Sequence, residues 1–292
     1  EYHRRFTVRP GMPRTELAAR LAPSGGGQAL VAALAEKGVV VDEGVTVRLP
    51  GHTIRFTPAR QAAVDAFKRE LRRNPYAPAS ASIPQPDLLA VLVARGEVVK
   101  VADGIVFSST AFEEMVAAQT EMQVELIRMA IEAGARPDGL WYFSDLCYRN
   151  GMFFSPKVYR KLMAPYHQRI AELCHEHGLF LLLHCCGDVR DLIPHLIEAG
   201  FDAIQPLEAR CGSDVRELKP HYGDRITLFG NMNMDVFASA DREAIRHEVL
   251  SKLEVAMPGG GYIWHSDHSV PPTVAFDDYA YAIELVREYG IY

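Results

Sequence analysis

Four bulky apolar residues in a row, Phe180-Leu-Leu-Leu183, run straight into His184-Cys-Cys-Gly-Asp188. The run is too short for a helix and lacks polar alternation, so it predicts a strand buried on both faces, as in a parallel sheet. The same alternation of short apolar runs and longer amphipathic stretches fills the chain from residue 112 onward. A long helix is predicted over 112–134. Strands follow at 140–143, 179–183, 203–207, 226–229 and 262–264, with helical periodicity over 156–176, 189–199, 214–222, 241–256 and 276–289. Five strand–helix units predict an α/β fold with a parallel sheet of barrel type.

The first 111 residues carry a different pattern, and it occurs twice. Helices over 14–21 and 28–37, the second stopped by Gly38, precede strands 39–41 and 45–49 around Asp42-Glu43-Gly44. Helices over 58–73 and 87–95, stopped by Gly96, precede strands 98–101 and 105–107 around Ala102-Asp103-Gly104. Leu30-x3-Leu34-x3-Gly38-x-Val40-Val41 and Leu88-x3-Leu92-x3-Gly96-x-Val98-Val99 share their spacing, the mark of a repeated helix–helix–wing unit. The chain therefore divides into small α+β units at 1–52 and 53–111 and an α/β unit at 112–292.

Charge sharpens this division. The net charge of −6 over 292 residues conceals 15 Lys and Arg against 10 Asp and Glu in residues 1–112, and 16 against 27 in the remainder. All five cysteines and nine of the eleven histidines lie in the second part. Five cysteines in a chain of this length suit thiols or metal ligands in a reducing compartment rather than a disulfide scaffold. No apolar run reaches a membrane span and no basic-then-apolar leader opens the sequence, so a cytoplasmic protein without membrane contact is expected. Arg69, Arg72 and Arg73, with Arg4 and Arg5, are candidates for phosphate contact. An excess this modest favours a solvated basic face over a nucleic-acid footprint.

In the second part the polar residues collect at strand ends. Asp145, His184, Cys186, Glu208, Asn231, His265, Asp267 and His268 each sit at or just beyond the C-terminal end of a predicted strand, the face on which barrels build active sites. His184-x-Cys186 places an imidazole and a thiol close together on a rigid support, a pattern that suits zinc. The bland alternative is a structural histidine beside buried thiols. Cys185 alternates with its neighbours, points away from them and reads as structural. Trp141 and Trp264 read as barrel packing rather than as a platform for a ring system.

From about residue 112 to the end, the motifs Leu140-Trp-Tyr-Phe-Ser-Asp145, Asn150-Gly-Met-Phe-Phe-Ser-Pro156, His184-Cys-Cys-Gly187, Phe229-Gly-Asn-Met232 and Gly261-Tyr-Ile-Trp-His-Ser-Asp-His-Ser-Val-Pro-Pro272 resemble the uroporphyrinogen decarboxylase superfamily of TIM barrels. They look closest to its corrinoid-dependent methyltransferase branch. That resemblance implies a partial TIM-type barrel that holds Zn2+ and moves a methyl group between methylcobamide, bound to a corrinoid protein, and a thiol or folate acceptor. His184 and Cys186 match the first two metal ligands of the thiol-methylating members. The late cysteine of that pattern is missing and His268 stands near its place, with Cys211, Asp267 and His265 as competitors. Asp145 and Glu208 are implied as orienters of the histidines or as substrate contacts, and Asn231 as a polar lining group. The tetrapyrrole-decarboxylating reading is the alternative, weakened because the motifs that hold and protonate that substrate have no counterpart here. An eight-unit barrel takes about 250 residues; five units leave two open sheet edges, which invites completion by a homodimer.

Residues Arg9-Pro-Gly-Met-Pro-Arg14, Arg48-Leu-Pro-Gly-His52 and the 98–107 hairpin resemble the C-terminal winged helices of the bacterial selenocysteine-specific elongation factor. The resemblance implies RNA contact. Without a Gly-rich phosphate loop, elongation-factor activity is not expected.

Overall fold

The computed structural model of the protein describes residues 1–23, 26–43, 46–77, 82–102 and 104–291. Two compact units emerge, Glu1–Ala111 and Phe112–Tyr292. No helix among the described residues is long and apolar enough to cross a membrane.

The first unit shows the helix–helix–wing order twice. Helices Arg14–Leu21 and Gly27–Glu36 are followed by strands Val41–Asp42 and Thr46–Arg48. A short segment, Met12–Pro13, which the pattern does not predict, pairs with Thr46–Val47 to make a three-stranded sheet. Helices Pro58–Arg73 and Pro86–Ala94 then lead to the antiparallel hairpin Val98–Ala102 and Ile105–Ser108. The expected turn residues Gly44 and Asp103, and the strand start at Val45, lie outside the described residues. Helix Pro58–Arg73 begins where expected because Thr57 accepts the Arg60 N–H and Pro58 suits the first turn. Its apolar side closes on Val64, Phe67, Leu71, Leu92, Val98 and Val106.

The second unit holds one parallel sheet of five strands, with helices packed on one side. The strands are β1 (Gly139–Phe143), β2 (Phe180–Cys185), β3 (Ala203–Pro206), β4 (Thr227–Met232) and β5 (Tyr262–Ser266), and each pairs with the next in chain order. This is a mixed α/β architecture consistent with a partial TIM-type barrel. The register carries Phe143, His184 and Gln205 side by side at one level and Asn231 beside His265 at another. The helices of seven residues or more are α1 (Ser109–Glu132), α2 (Pro156–Leu162), α3 (Ala164–Glu176), α4 (Ile193–Ala199), α5 (Val215–Tyr222), α6 (Arg242–Ala256) and α7 (Phe276–Tyr289). The single helix expected over 156–176 is two: the chain breaks at Met163, and Pro165 sits in the first turn of the second piece, where its missing N–H costs nothing.

Two expectations need correction. The strand at Phe180 is buried on one face only, with Leu181, Leu183 and Cys185 fully buried and Phe180 67% exposed. Trp141, expected in the packing, is 52% exposed, as is Phe143 at 72%. One cause covers both. In a closed barrel the inner face of each strand meets the strands opposite, whereas five strands leave that face open.

Candidate functional site

The C-terminal strand ends deliver their side chains around one thiol. Gly187, directly after Cys186, takes φ +91°, and a Cβ there would lie 2.5 Å from the Tyr148 carbonyl, so only glycine permits this turn. Asp145, just past β1, accepts the Cys186 backbone N–H at 2.9 Å and pins the main chain that carries the thiol. The His184 Nδ1–H donates to Oε1 of buried Gln205, which leaves Nε2 unprotonated 3.6 Å from Cys186 Sγ. His184 also stacks on Phe143 with ring centroids 3.8 Å apart. From the other side, His268 Nε2 stands 3.9 Å from Oε1 of buried Glu208.

Two groups of donor atoms result, each within 4.8 Å: Asp145, His184 and Cys186, and Cys186, Glu208 and His268. Cys186 belongs to both. Burial and the charges of Asp145 and Glu208 push its thiol up to about 12. Glu208 also accepts from the Cys211 thiol at 2.9 Å, and burial together with that carboxylate raises Cys211 to about 11. A cavity of about 520 Å³ opens over these groups, lined by His184, Cys186, Gln205, His265 and His268 among others. Phe143 and Tyr279 add aromatic rings to its wall, and behind His265 the Phe229 ring meets its edge at 5.1 Å.

Other expected residues fall elsewhere. Asn231 does not line the cavity. It is fully buried, its Nδ2 donates to the carbonyls of Leu207 and Ser213, and its Oδ1 accepts the Val215 N–H. All its side-chain capacity is spent joining three segments of main chain, and its φ of 85° is one that asparagine tolerates. Asp267 belongs to neither donor group; it is 2% exposed and its Oδ1 accepts the Met234 N–H at 3.1 Å. Cys211 and His265 also stand outside both groups, Cys211 held by Glu208 and His265 by the Ser266 carbonyl. Trp264 is half-buried and its indole N–H finds no hydrogen-bond partner among the described residues. Arg69, Arg72 and Arg73 are exposed on helix Pro58–Arg73 of the first unit.

Several residues that matter here escape sequence reasoning. Gln205 sits in an apolar strand, and only its register beside His184 gives it a role. Glu248 and Lys252 of α6 are buried as an ion pair, with Lys252 donating to the Asn231 carbonyl and Glu248 accepting the Asn233 N–H. Their spacing of four is the ordinary surface pairing of a helix, which hides them.

A parallel β/α sheet with imidazole, thiol and carboxylate donors gathered at its C-terminal strand ends defines a protein of the TIM-barrel class, in which that is the face where active sites are built. The chain belongs to the uroporphyrinogen decarboxylase family, whose family model matches residues 63–289. That match begins inside helix Pro58–Arg73, upstream of the stretch whose motifs carry the resemblance. Residues 1–49 match the winged helix of elongation factor SelB. No curated protein matches the chain. Among solved structures, a methyltransferase from Methanosarcina mazei is similar at 15% identity and a TM-score of 0.45, covering 98% of this chain and 93% of that one.

Proposed function

We propose that the chain is a zinc-dependent methyltransferase-like enzyme of its family, taking a methyl group from methylcobamide to a thiol acceptor. The observation that carries this reading is Cys186, shared between two groups of metal-competent donors at the mouth of one cavity. The donor set suits the metal: imidazole, thiolate and carboxylate are zinc's protein ligands. The raised Cys186 thiol points the same way, because two carboxylates crowd it and a cation would reverse their effect. Cys186, His184, His268 and Glu208 would hold the ion. Once bound, zinc supplies a lowered pKa to a coordinated acceptor thiol, making it nucleophilic at neutral pH.

The chain's own residues supply position. Asp145 fixes the Cys186 main chain, Gln205 fixes which His184 nitrogen is free, and Phe143 and Tyr279 offer apolar rings to a flat co-substrate. In the transfer a sulfur–carbon bond forms as the cobalt–carbon bond breaks, the electron pair staying on cobalt. A corrinoid protein would be the donor partner. Metal analysis of protein purified without chelator tests the first step, and absence of stoichiometric zinc in the wild type sinks it. The second step is read from the absorbance of free methylcobalamin mixed with a thiol, with uroporphyrinogen as the rival substrate.

For the first unit we propose RNA contact, supported by the match of residues 1–49, which carries the exposed Arg4 and Arg5; Arg69, Arg72 and Arg73 lie outside that match. RNA affinity across a salt series tests it; an affinity that ignores salt removes the reading.

A further inference from the structure

Beside the metal-competent cavity lies a second, smaller one of about 180 Å³. The two share His268 and Ser269 in their walls. Its volume falls below the ~300–1,000 Å³ of pockets for drug-sized ligands, so it suits a small molecule or a head group. Charge of both signs surrounds it: Asp235 and Asp267 on one hand, Arg210 on the other, with Ser269 and Thr273 as hydroxyls.

Asp267 makes this more than a surface depression. It is 98% buried; Oδ1 accepts the Met234 N–H, while Oδ2 makes no well-formed hydrogen bond among the described residues, with the Ala209 N–H and the Arg210 charge nearby. A buried carboxylate oxygen left unsatisfied is costly, so a native site tends to supply it with a donor. Arg210 is half-exposed, and its nearest carboxylate oxygen, on Glu208, stands 3.9 Å away, beyond hydrogen-bond range. Its fork therefore keeps donors for a planar anion. Asp235 is exposed and adds a second negative group to the wall. A bare divalent cation would meet the guanidinium, and a bare anion would meet two carboxylates. A ligand that carries both charges a short distance apart meets neither conflict.

We propose that this cavity binds the head group of a small α-amino acid, its ammonium donating to Asp267 and Asp235 and its carboxylate accepting from Arg210. The site needs no metal, and although it shares the His268 wall, its proposed contacts Asp267, Asp235 and Arg210 are separate from the residues that would hold zinc.

Calorimetric titration of the full chain tests it, with alanine, serine and threonine as ligands and ethylamine and propionate as the two halves. At least one amino acid should bind with one site per chain, and each half at least roughly tenfold more weakly, since each loses one charge-assisted contact. Arg210→Gln, a change at an exposed position, should weaken amino-acid binding by a similar factor, and Asp267→Asn likewise. Cys186→Ala should leave it unchanged, which separates this site from the metal cluster. Ethylamine binding as tightly as the amino acids, wild-type affinity in Arg210→Gln, or no binding by any of the three amino acids would each overturn the assignment. Should Asp267→Asn fail to fold, the Arg210→Gln result decides.

Discussion

Gln205 on β3 and His184 on β2 are register partners, and the Gln205 amide oxygen accepts the hydrogen on His184 Nδ1. This one contact chooses the tautomer that turns a lone pair toward Cys186. Such outer partners of metal-ligating histidines usually hold 10–100-fold in metal affinity. Gln205→Leu, which keeps the apolar strand and removes the acceptor, should weaken zinc binding by about that range in a competitive chelator titration. Unchanged affinity would show that the amide has no part in metal binding.

The Cys186 thiol makes a prediction about pH. With its pKa raised to about 12 by burial and by Asp145 and Glu208, it is protonated throughout the neutral range in metal-free protein. Alkylation at Cys186, followed by mass spectrometry, should therefore be slow at pH 8 and gain about tenfold per pH unit as pH rises toward that value. Asp145→Asn removes one of the nearby charges and should move the whole profile to lower pH. A profile centred near the ordinary thiol range would contradict the crowding of carboxylates around this sulfur.

His167 carries the acid sensitivity of the second unit. It is 2% exposed, its Nδ1 accepts the Tyr159 hydroxyl at 2.9 Å, and burial lowers its pKa to about 4. Unfolded, it titrates near 6.5. Between these values the unfolded chain takes up a proton that the folded chain refuses, so stability is complete above about pH 6.5 and falls as pH drops toward 4. The loss amounts to roughly 3 kcal/mol. In urea unfolding followed from pH 7 to 4, His167→Leu should show a shallower decline than the wild type, whatever its stability at pH 7. Parallel curves would assign the acid lability to other groups.

Lys252 and Glu248 are buried together, and each also holds main chain at the β4 tip. Removing one partner of such a pair typically costs about 3–5 kcal/mol, because the other charge is left stranded. Lys252→Met should therefore destabilise more than the double change of Lys252→Met with Glu248→Met, measured by denaturant midpoints. If the double variant proves the weaker of the two, the hydrogen bonds to the Asn231–Asn233 turn outweigh the stranded charge.

The order of elements was readable because period carries it: apolar runs marked all five parallel strands, and the helix expected over 58–73 is the helix Pro58–Arg73. That His184 and Cys186 come together was readable because one strand end carries both, two positions apart. Asn231 was misplaced because sequence shows a polar residue at a strand end but not which way the turn aims it, and its positive φ swings it into the main chain. Gln205 was invisible for the opposite reason, since its neighbour arrives from another strand. Trp141 was misjudged because burial depends on how many strands close the sheet, a property no single strand encodes.

The open inner face of this sheet has a consequence for change over time. Trp141, Phe143 and Phe180 stand on strands whose backbones are pinned by their neighbours, while the fold's compactness comes from the helix-covered side. Replacing these rings alters what can lie against the open face of the sheet without emptying a packed interior. Ligand preference and thermodynamic robustness are thus written on opposite sides of the same ribbon, and either can be retuned while the other stands still.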